Sequence, residues 1–329
     1  PHNLVEVVSA VKALIKKAKV SDVKAVEDKD LVTTNYKNLT GNLDSDIDID
    51  ELCEHIKGPD FPTSGIIFDK NEIKKMYATG KASIIVRGVA EIVEKKNGRL
   101  QILITELPYQ VNKAKLITDI AELVKKKKID GIADLRDESD RIGLTVAVDL
   151  KKDAKPKVVL NTLYKYTELQ TSFPANIVAL TSEGTPHLLN LKQILLEYAT
   201  HRQMVVVRRS QFELKSTQDR AHILEGLLIA LNSIDEVIET IKKSADTEAA
   251  KTNLIQKFSL SEIQATAILD MQLRKLAALE RQKIEAEHAE LMKQIDFLVS
   301  TLKNPQRVLE IITDEITKLA LDYKEERKT

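Results

Sequence analysis

Apolar residues at Leu4, Val7, Val8, Val11, Leu14 and Ile15 recur at helical spacing and predict an amphipathic helix over residues 3–18. From Ser21 to Ile47 the periodicity fades and polar residues dominate. The acidic run Asp44-Ser-Asp46-Ile-Asp48-Ile-Asp50-Glu51 invites an EF-hand reading. It fails because neither register has Gly at the sixth position or Glu at the twelfth. The run reads instead as the lead-in to a short helix over 49–56, since acidic residues favour helix N-termini. After the punctuated turn Gly58-Pro-Asp-Phe-Pro62 the pattern becomes strand-like. Gly65–Phe68, Ser83–Val93 and Leu100–Leu107 are rich in β-branched and apolar residues, and Asn97-Gly98 between the last two signals a hairpin. A helix over 112–128, a strand over 143–150 and helices over 156–166 and 190–200 complete an α+β block spanning 58–190.

Beyond residue 190 the pattern changes. Leu224, Leu227, Leu231, Ile234, Ile238 and Ile241 step by alternating three and four, an unbroken coiled-coil seam. A second seam runs Ile284, His288, Leu291, Ile295, Leu298, Leu302 and continues in phase through Leu309, Ile312, Ile316, Leu319 and Tyr323. Pro305 falls where the next core residue belongs, and proline breaks a helix interior. The seams therefore predict helices over 192–243, 281–303 and 306–326, with Leu254–Leu279 forming shorter helices between the outgoing and returning arms. The fold class is α+β, predominantly α, with an antiparallel coiled coil that carries a small helical knob at about 250–280.

Composition narrows the chemistry. The 329 residues are 43% hydrophobic and 30% charged, with 4% aromatics and no Trp. That balance suits long helices with wet faces. Fifty basic residues against fifty acidic ones leave no net charge, so a nucleic-acid site has to be a local patch. No apolar run approaches the ~20 residues of a membrane span, and no signal peptide opens the chain, which predicts a cytoplasmic protein. The single cysteine, Cys53, excludes an internal disulfide framework, and the six histidines show no metal-binding spacing. Phosphate-binding loops and the GxSxG elbow are absent, so no catalytic constellation and no metal site is predicted. The first residue is Pro1, which implies a fragment of something longer.

Between Asp69 and Asp130 fourteen Lys and Arg face eight Asp and Glu. Lys125-Lys-Lys-Lys128 ends a helix, where cations suit the dipole. Arg87, Arg99, Lys113 and Lys115 lie on strands or at a helix start, and with Asn112 they could line a phosphate-contacting surface. The run His201-Arg202…Arg208-Arg209 reads as a solvated helix face. At the knob Ile268, Leu269, Met271, Leu273, Leu276 and Leu279 form an apolar stripe. It fits either a twofold partner surface or a small self-contained core.

These pieces resemble a known family. Pro1-His-Asn-Leu4, Gly58-Pro-Asp-Phe-Pro-Thr63, Glu106-Leu-Pro-Tyr-Gln-Val-Asn-Lys113, Leu135-Arg-Asp-Glu-Ser-Asp140, Leu163–Phe173, Arg220-Ala-His-Ile-Leu-Glu225 and Ile268-Leu-Asp-Met-Gln-Leu273 come in the order seen in the A subunit of bacterial DNA gyrase. The A subunit of topoisomerase IV is closely similar, although Gln264–Leu273 and Leu276–Glu287 look more like gyrase. The resemblance implies a type IIA topoisomerase, in which the A subunit cuts a duplex through a tyrosine while a B subunit supplies ATP hydrolysis and the magnesium site. It implies a helical remnant and linker over 1–57, an α+β tower over 58–190 beside the cleaved DNA, and a coiled coil over 191–329 ending in a dimeric exit gate. The nucleophilic tyrosine is expected upstream of Pro1, since Tyr36, Tyr77 and Tyr109 do not match its motif, and the fragment alone is expected to be inactive and to hold no cofactor.

Under this resemblance His2, Asn3, Arg87, Asn112, Lys113 and Lys115 are the expected DNA contacts, and the stripe over 265–280 is the expected dimer gate. The expected partners are double-stranded DNA, a second copy of the chain and the B subunit, in a complex of two A and two B subunits. Residues 20–45 look longer than the corresponding family loop and receive no role. A non-enzymatic coiled-coil scaffold is the alternative from a different class.

Overall fold

The computed structural model describes residues 1–95, 98–141, 143–181, 184–272 and 278–329, apart from the side chains of 278–280. The chain opens with α1 (Leu4–Lys16), β1 (Ala18–Ser21), α2 (Tyr36–Thr40), β2 (Asn42–Ser45) and α3 (Ile49–His55). There follow β3 (Ile66–Ile67), α4 (Lys70–Thr79), β4 (Lys81–Arg87), β5 (Ala90–Glu94), β6 (Leu100–Ile104) and α5 (Lys113–Lys125). Next come β7 (Ile132–Asp137), β8 (Val146–Leu150), α6 (Pro156–Tyr166), β9 (Gln170–Asn176), β10 (Val178–Leu180) and β11 (Pro186–Leu188). The rest is helical: α7 (Leu191–Asn232), α8 (Ile234–Lys243), α9 (Thr247–Phe258), α10 (Glu262–Leu269), α11 (Ala278–Lys303) and α12 (Pro305–Asp322). This is an α+β fold dominated by helix.

Two compact units divide the chain. Residues 1–19, 44–199 and 313–329 form the first, and residues 20–43 and 200–312 the second.

In the first unit an antiparallel sheet of order β5-β6-β8-β7 packs α5 and α6 on one face. Alternation does the sorting: Ile102 and Ile104 of β6 and Val146 and Val148 of β8 point into a core shared with Leu116, Ile120, Val159 and Leu163 from the two helices. Each such side chain contributes about 1.5–3 kcal/mol on burial. The expected hairpin is β5–β6, paired from Ala90↔Ile104 to Glu94↔Leu100. Its turn keeps Gly98 at φ +72, whereas Asn97 lies outside the described residues. The single strand expected over Ser83–Val93 is two strands in different sheets. β4 pairs with β3 and β9, and β5 pairs with β6, the chain changing sheets at Gly88-Val89.

An aromatic cluster links motifs distant in sequence. Phe61 of the Gly58–Pro62 turn stacks on Tyr109 at 5.3 Å and meets Phe173 of β9 edge-on at 5.0 Å. The last residues of the chain close over the same turn. Asp60 accepts the backbone N–H groups of Lys328 and Thr329 at 2.9 Å, and Arg327 pairs with Glu6 at 2.7 Å and donates to the Pro59 carbonyl.

In the second unit α7 and α11 run antiparallel. Arg220 pairs with Glu287 at 2.7 Å, and further along α7 Asn232 accepts from Arg281 at 2.6 Å. The 42 residues of α7 reach about 63 Å at 1.5 Å per residue. The helix expected over 192–243 breaks at Ser233, whose φ of −127° and ψ of 42° end α7 and start α8. The break at Pro305 falls where the sequence places it, with Asn304 accepting the Gln306 N–H at 3.0 Å.

Candidate nucleic-acid interface

Four of the expected DNA contacts lie near one another on the first unit, Asn112, Lys113 and Lys115 at the start of α5 and Arg87 at the end of β4. Asn112 is the N-cap of α5, accepting the Lys115 backbone N–H at 3.1 Å, so part of its hydrogen-bonding capacity serves the helix. Lys113 reaches across to β7 and the residues after it, donating to Ser139 Oγ at 3.0 Å and pairing with Asp137 at 2.7 Å. The Lys113 hydrogen bond, helped by the hydroxyl and backbone N–H of Ser139, pulls the Asp137 carboxyl down to about 2. Lys115 pairs with Glu168 at 3.0 Å while remaining largely exposed.

Arg87 lies against aromatic rings. Its guanidinium sits 4.3 Å from the Phe68 centroid and 5.0 Å from that of Tyr164, and its Nε donates to the Gln170 side chain. Tyr164 in turn donates to the Gly88 carbonyl at 3.1 Å, and desolvation pushes its phenol up. The Glu168–Gln170 stretch therefore holds Lys115 with one residue and Arg87 with another.

His2 and Asn3 border an open cleft of about 500 Å³ whose wall also includes Asp60, Phe61, Tyr109 and Lys328. Asn3 is buried and committed: its Oδ1 caps α1 through Val5 and Glu6, and its amide donates to the Glu325 carbonyl at 3.1 Å. His2 keeps an exposed edge, but its Nε2 is hydrogen-bonded to the Tyr77 hydroxyl at 2.8 Å. Desolvation, helped by Arg327, pushes its pKa down, to about 4. It is therefore neutral near pH 7 and offers no cation to a phosphate. Tyr77 is fully buried, and desolvation pushes its phenol well above the ordinary tyrosine value.

The structure thus joins Arg87, Asn112, Lys113 and Lys115 through their partners. His2 and Asn3 lie apart from this group, in a cleft that Tyr109, in the loop leading to α5, also lines. Asp137, Glu168, Phe68, Tyr164 and Gln170 join the site without being expected there from the sequence. Asp137 lies inside the motif Leu135–Asp140, the one signal that could have pointed to it.

The knob of the second unit has its own core. Leu224, Leu227 and Leu231 of α7 pack with Val237, Leu254, Leu260, Ala265, Ile268 and Ile284. Ile268 of the expected gate is 3% exposed and belongs to this core, while Leu269 and Met271 pack against it partly exposed. Leu273 and Leu276 lie outside the described residues, as does the side chain of Leu279. A polar network fastens α10 to α7: Ser261 and Gln264 form a capping box, Gln264 donates to the His222 carbonyl at 2.8 Å, and His222 meets Ser261 Oγ at 2.7 Å. Gly226 makes this approach possible, since a Cβ there would lie 2.6 Å from Gln264 Cγ.

Comparison with known proteins places these features in a family. The family model for the A subunit of DNA gyrase/topoisomerase IV matches residues 1–317. The chain belongs to that family. It is 52% identical over 284 residues to a protein from Halalkalibacterium halodurans named as the A subunit of DNA gyrase, covering 86% of this chain and 34% of that one. Proteins of the same name from Staphylococcus epidermidis and Staphylococcus aureus are 46% and 47% identical over 330 residues, each covering 100% of this chain and 34% of the relative. The chain therefore spans about a third of the length of the curated relatives it matches. Among the described residues no helix is long and apolar enough to cross a membrane.

Proposed function

We propose that the chain is the part of a type IIA topoisomerase A subunit that flanks the cut duplex and carries the dimeric exit gate, working in the cytoplasm with an ATP-hydrolysing B subunit. The observation that carries this reading is the family match over residues 1–317, which spans both the α+β unit and the antiparallel α7–α11 pair with its knob. In this reading the strand-cutting tyrosine and the ATP site belong to other parts of the complex. The chain's own work is to hold DNA beside the break and to open and close at the knob.

DNA would be held through phosphates at the start of α5. Lys113 and Lys115 exchange Asp137 and Glu168 for phosphate oxygens, and the free end of Asn112 adds a neutral donor. Such contacts position a duplex without reading its sequence. They weaken with salt, each one contributing a slope of about −0.9 in log K against log salt. Arg87, between its two rings, supplies a cation whose partner in hand is a neutral amide. The partly exposed Leu269 and Met271, with Leu273, Leu276 and Leu279, form the proposed gate contact.

Sedimentation equilibrium of the chain tests the gate. A species near twice 36.9 kDa that is lost in Met271→Asp is the expected result, and a monomer at all concentrations overturns the gate. When the full-length protein is assembled with its B partner, ATP-dependent negative supercoiling of relaxed plasmid is expected. Decatenation without supercoiling would instead mark a topoisomerase IV. DNA binding unchanged by salt and by Lys113→Met and Lys115→Met would favour the scaffold.

A further inference from the structure

The polar segment between β1 and β2, which has no role under the family resemblance, is folded and packs on the coiled coil. Residues 20–43 belong to the second unit with residues 200–312. The excursion starts and ends at one two-stranded sheet, β1 with β2. The strands pass in opposite directions, with the Asp46 N–H donating to Lys17 and Asn42 donating to Asp22 further along. Gly41, at φ +62, makes the closure possible, because a Cβ there would fall 2.2 Å from the Ser21 carbonyl oxygen.

Between these strands the segment grips both helices of the pair. The Gln211 side chain on α7 donates both amide hydrogens, to the Leu31 carbonyl at 2.7 Å and the Thr34 carbonyl at 2.8 Å. Arg208, one turn earlier on α7, lies 5.2 Å from the Tyr36 ring centroid. Leu31 is fully buried and Leu39 nearly so. On the other side Asp28 pairs with Lys303, the last residue of α11. Lys303 immediately precedes the Asn304–Pro305 break.

One row of the helix pair is polar at this level, beside the buried Val206, Val207 and Leu214. Positions spaced by sevens before Leu224 on α7 are Thr217, Ser210 and Gln203, all buried and all polar. Gln203 is 1% exposed, and neither end of its amide has a hydrogen-bond partner among the described residues. A buried amide left in that state weakens packing, and a seam with polar residues every seventh position has less apolar area with which to hold a partner helix.

We infer that residues 20–43 are a clasp that holds α7 and α11 together beside the Asn304–Pro305 break and restrains their separation there. The clasp stands on the contacts above. Only its consequence, that the second unit resists opening from this end and opens at the knob, rests on the topoisomerase reading.

The test is a distance measurement in the full-length protein. Spin labels replace Phe212 on α7 and Met292 on α11, both exposed, in a Cys53→Ser background. One variant replaces residues 22–41 by a two-residue Asn-Gly turn joining β1 to β2. A second, Gln211→Ala with Tyr36→Ala, leaves the chain length intact. The clasp predicts a sharp α7–α11 distance distribution that broadens toward longer separations in both variants. An unchanged distribution overturns it. If the shortened chain does not fold, the point variant decides alone. Loss of supercoiling with an unchanged distribution would count against the clasp and leave the topoisomerase reading standing.

Discussion

Along one seven-residue row of α7 the buried side chains change from polar to apolar, while Val206, Val207 and Leu214 keep the rest of the near stretch apolar. Toward the knob, Leu224 and Leu231 enter a core of apolar side chains drawn from α8, α9, α10 and α11. Before it, Gln203, Ser210 and Thr217 occupy the equivalent positions, and the neighbouring surface is gripped by hydrogen bonds from a segment far away in sequence. The far stretch is specified by volume and shape. The near stretch adds to its apolar packing directional contacts that only a particular partner can make. One helix thus combines two kinds of support with different sensitivities to mutation.

The sharpest way to break the comparison is Leu254→Ala, which opens a cavity in the knob core. It should cost about 2–5 kcal/mol in urea denaturation of the second unit's transition. Gly226→Ala comes next. The added methyl meets Gln264 and should destabilise the α7–α10 contact by about 1–3 kcal/mol, as overpacking does, with backbone amide exchange quickening in α10. Gln203→Leu tests the opposite sign. Removing a buried amide without partners should raise stability by about 1 kcal/mol or more, and a loss instead would mean that the polar row is satisfied by contacts of its own. Asp28→Asn is the smallest change. The ion pair to Lys303 lies between two largely exposed side chains, so a shift of about 0–1 kcal/mol is expected, and it should shrink with added salt.

The same contrast explains what can be read from the sequence. α1, α5 and α6 follow from apolar spacing, the β5–β6 hairpin from Asn97-Gly98 and the α11–α12 break from Pro305, because each signal is local. The break at Ser233 is masked: Leu231, Ile234, Ile238 and Ile241 keep the seam in phase across it, which outweighs the helix-start pattern Ser233-Ile-Asp-Glu236, and the chain turns where α8 packs on α9 rather than continuing α7. α4 is hard to see although Asp69 caps it and Gly80 ends it, since its three buried residues, Ile73, Met76 and Tyr77, lie between two strand-like runs. At the candidate interface the cations are legible and their counterions are not. Lys113 finds Asp137, Lys115 finds Glu168 and Arg87 finds the Phe68 and Tyr164 rings only through the pairing of strands and packing of helices distant in sequence. Asn3 illustrates the reverse, a residue placed with the DNA contacts whose amide is occupied at both ends by the fold.

The sheet that closes residues 20–43 has a further consequence. Because β1 and β2 lie side by side, the chain re-enters the rest of the molecule next to the point where it left. The number of residues between them can change without moving either neighbour, and lengthening such a loop adds only slowly to the entropy of closing it. The position is therefore a port in the chain. A peptide tag spliced in at the exposed Lys24-Ala25, outside the stretch from Asp28 to Leu39 that makes the contacts of the clasp, should leave those contacts and the helices on either side in register.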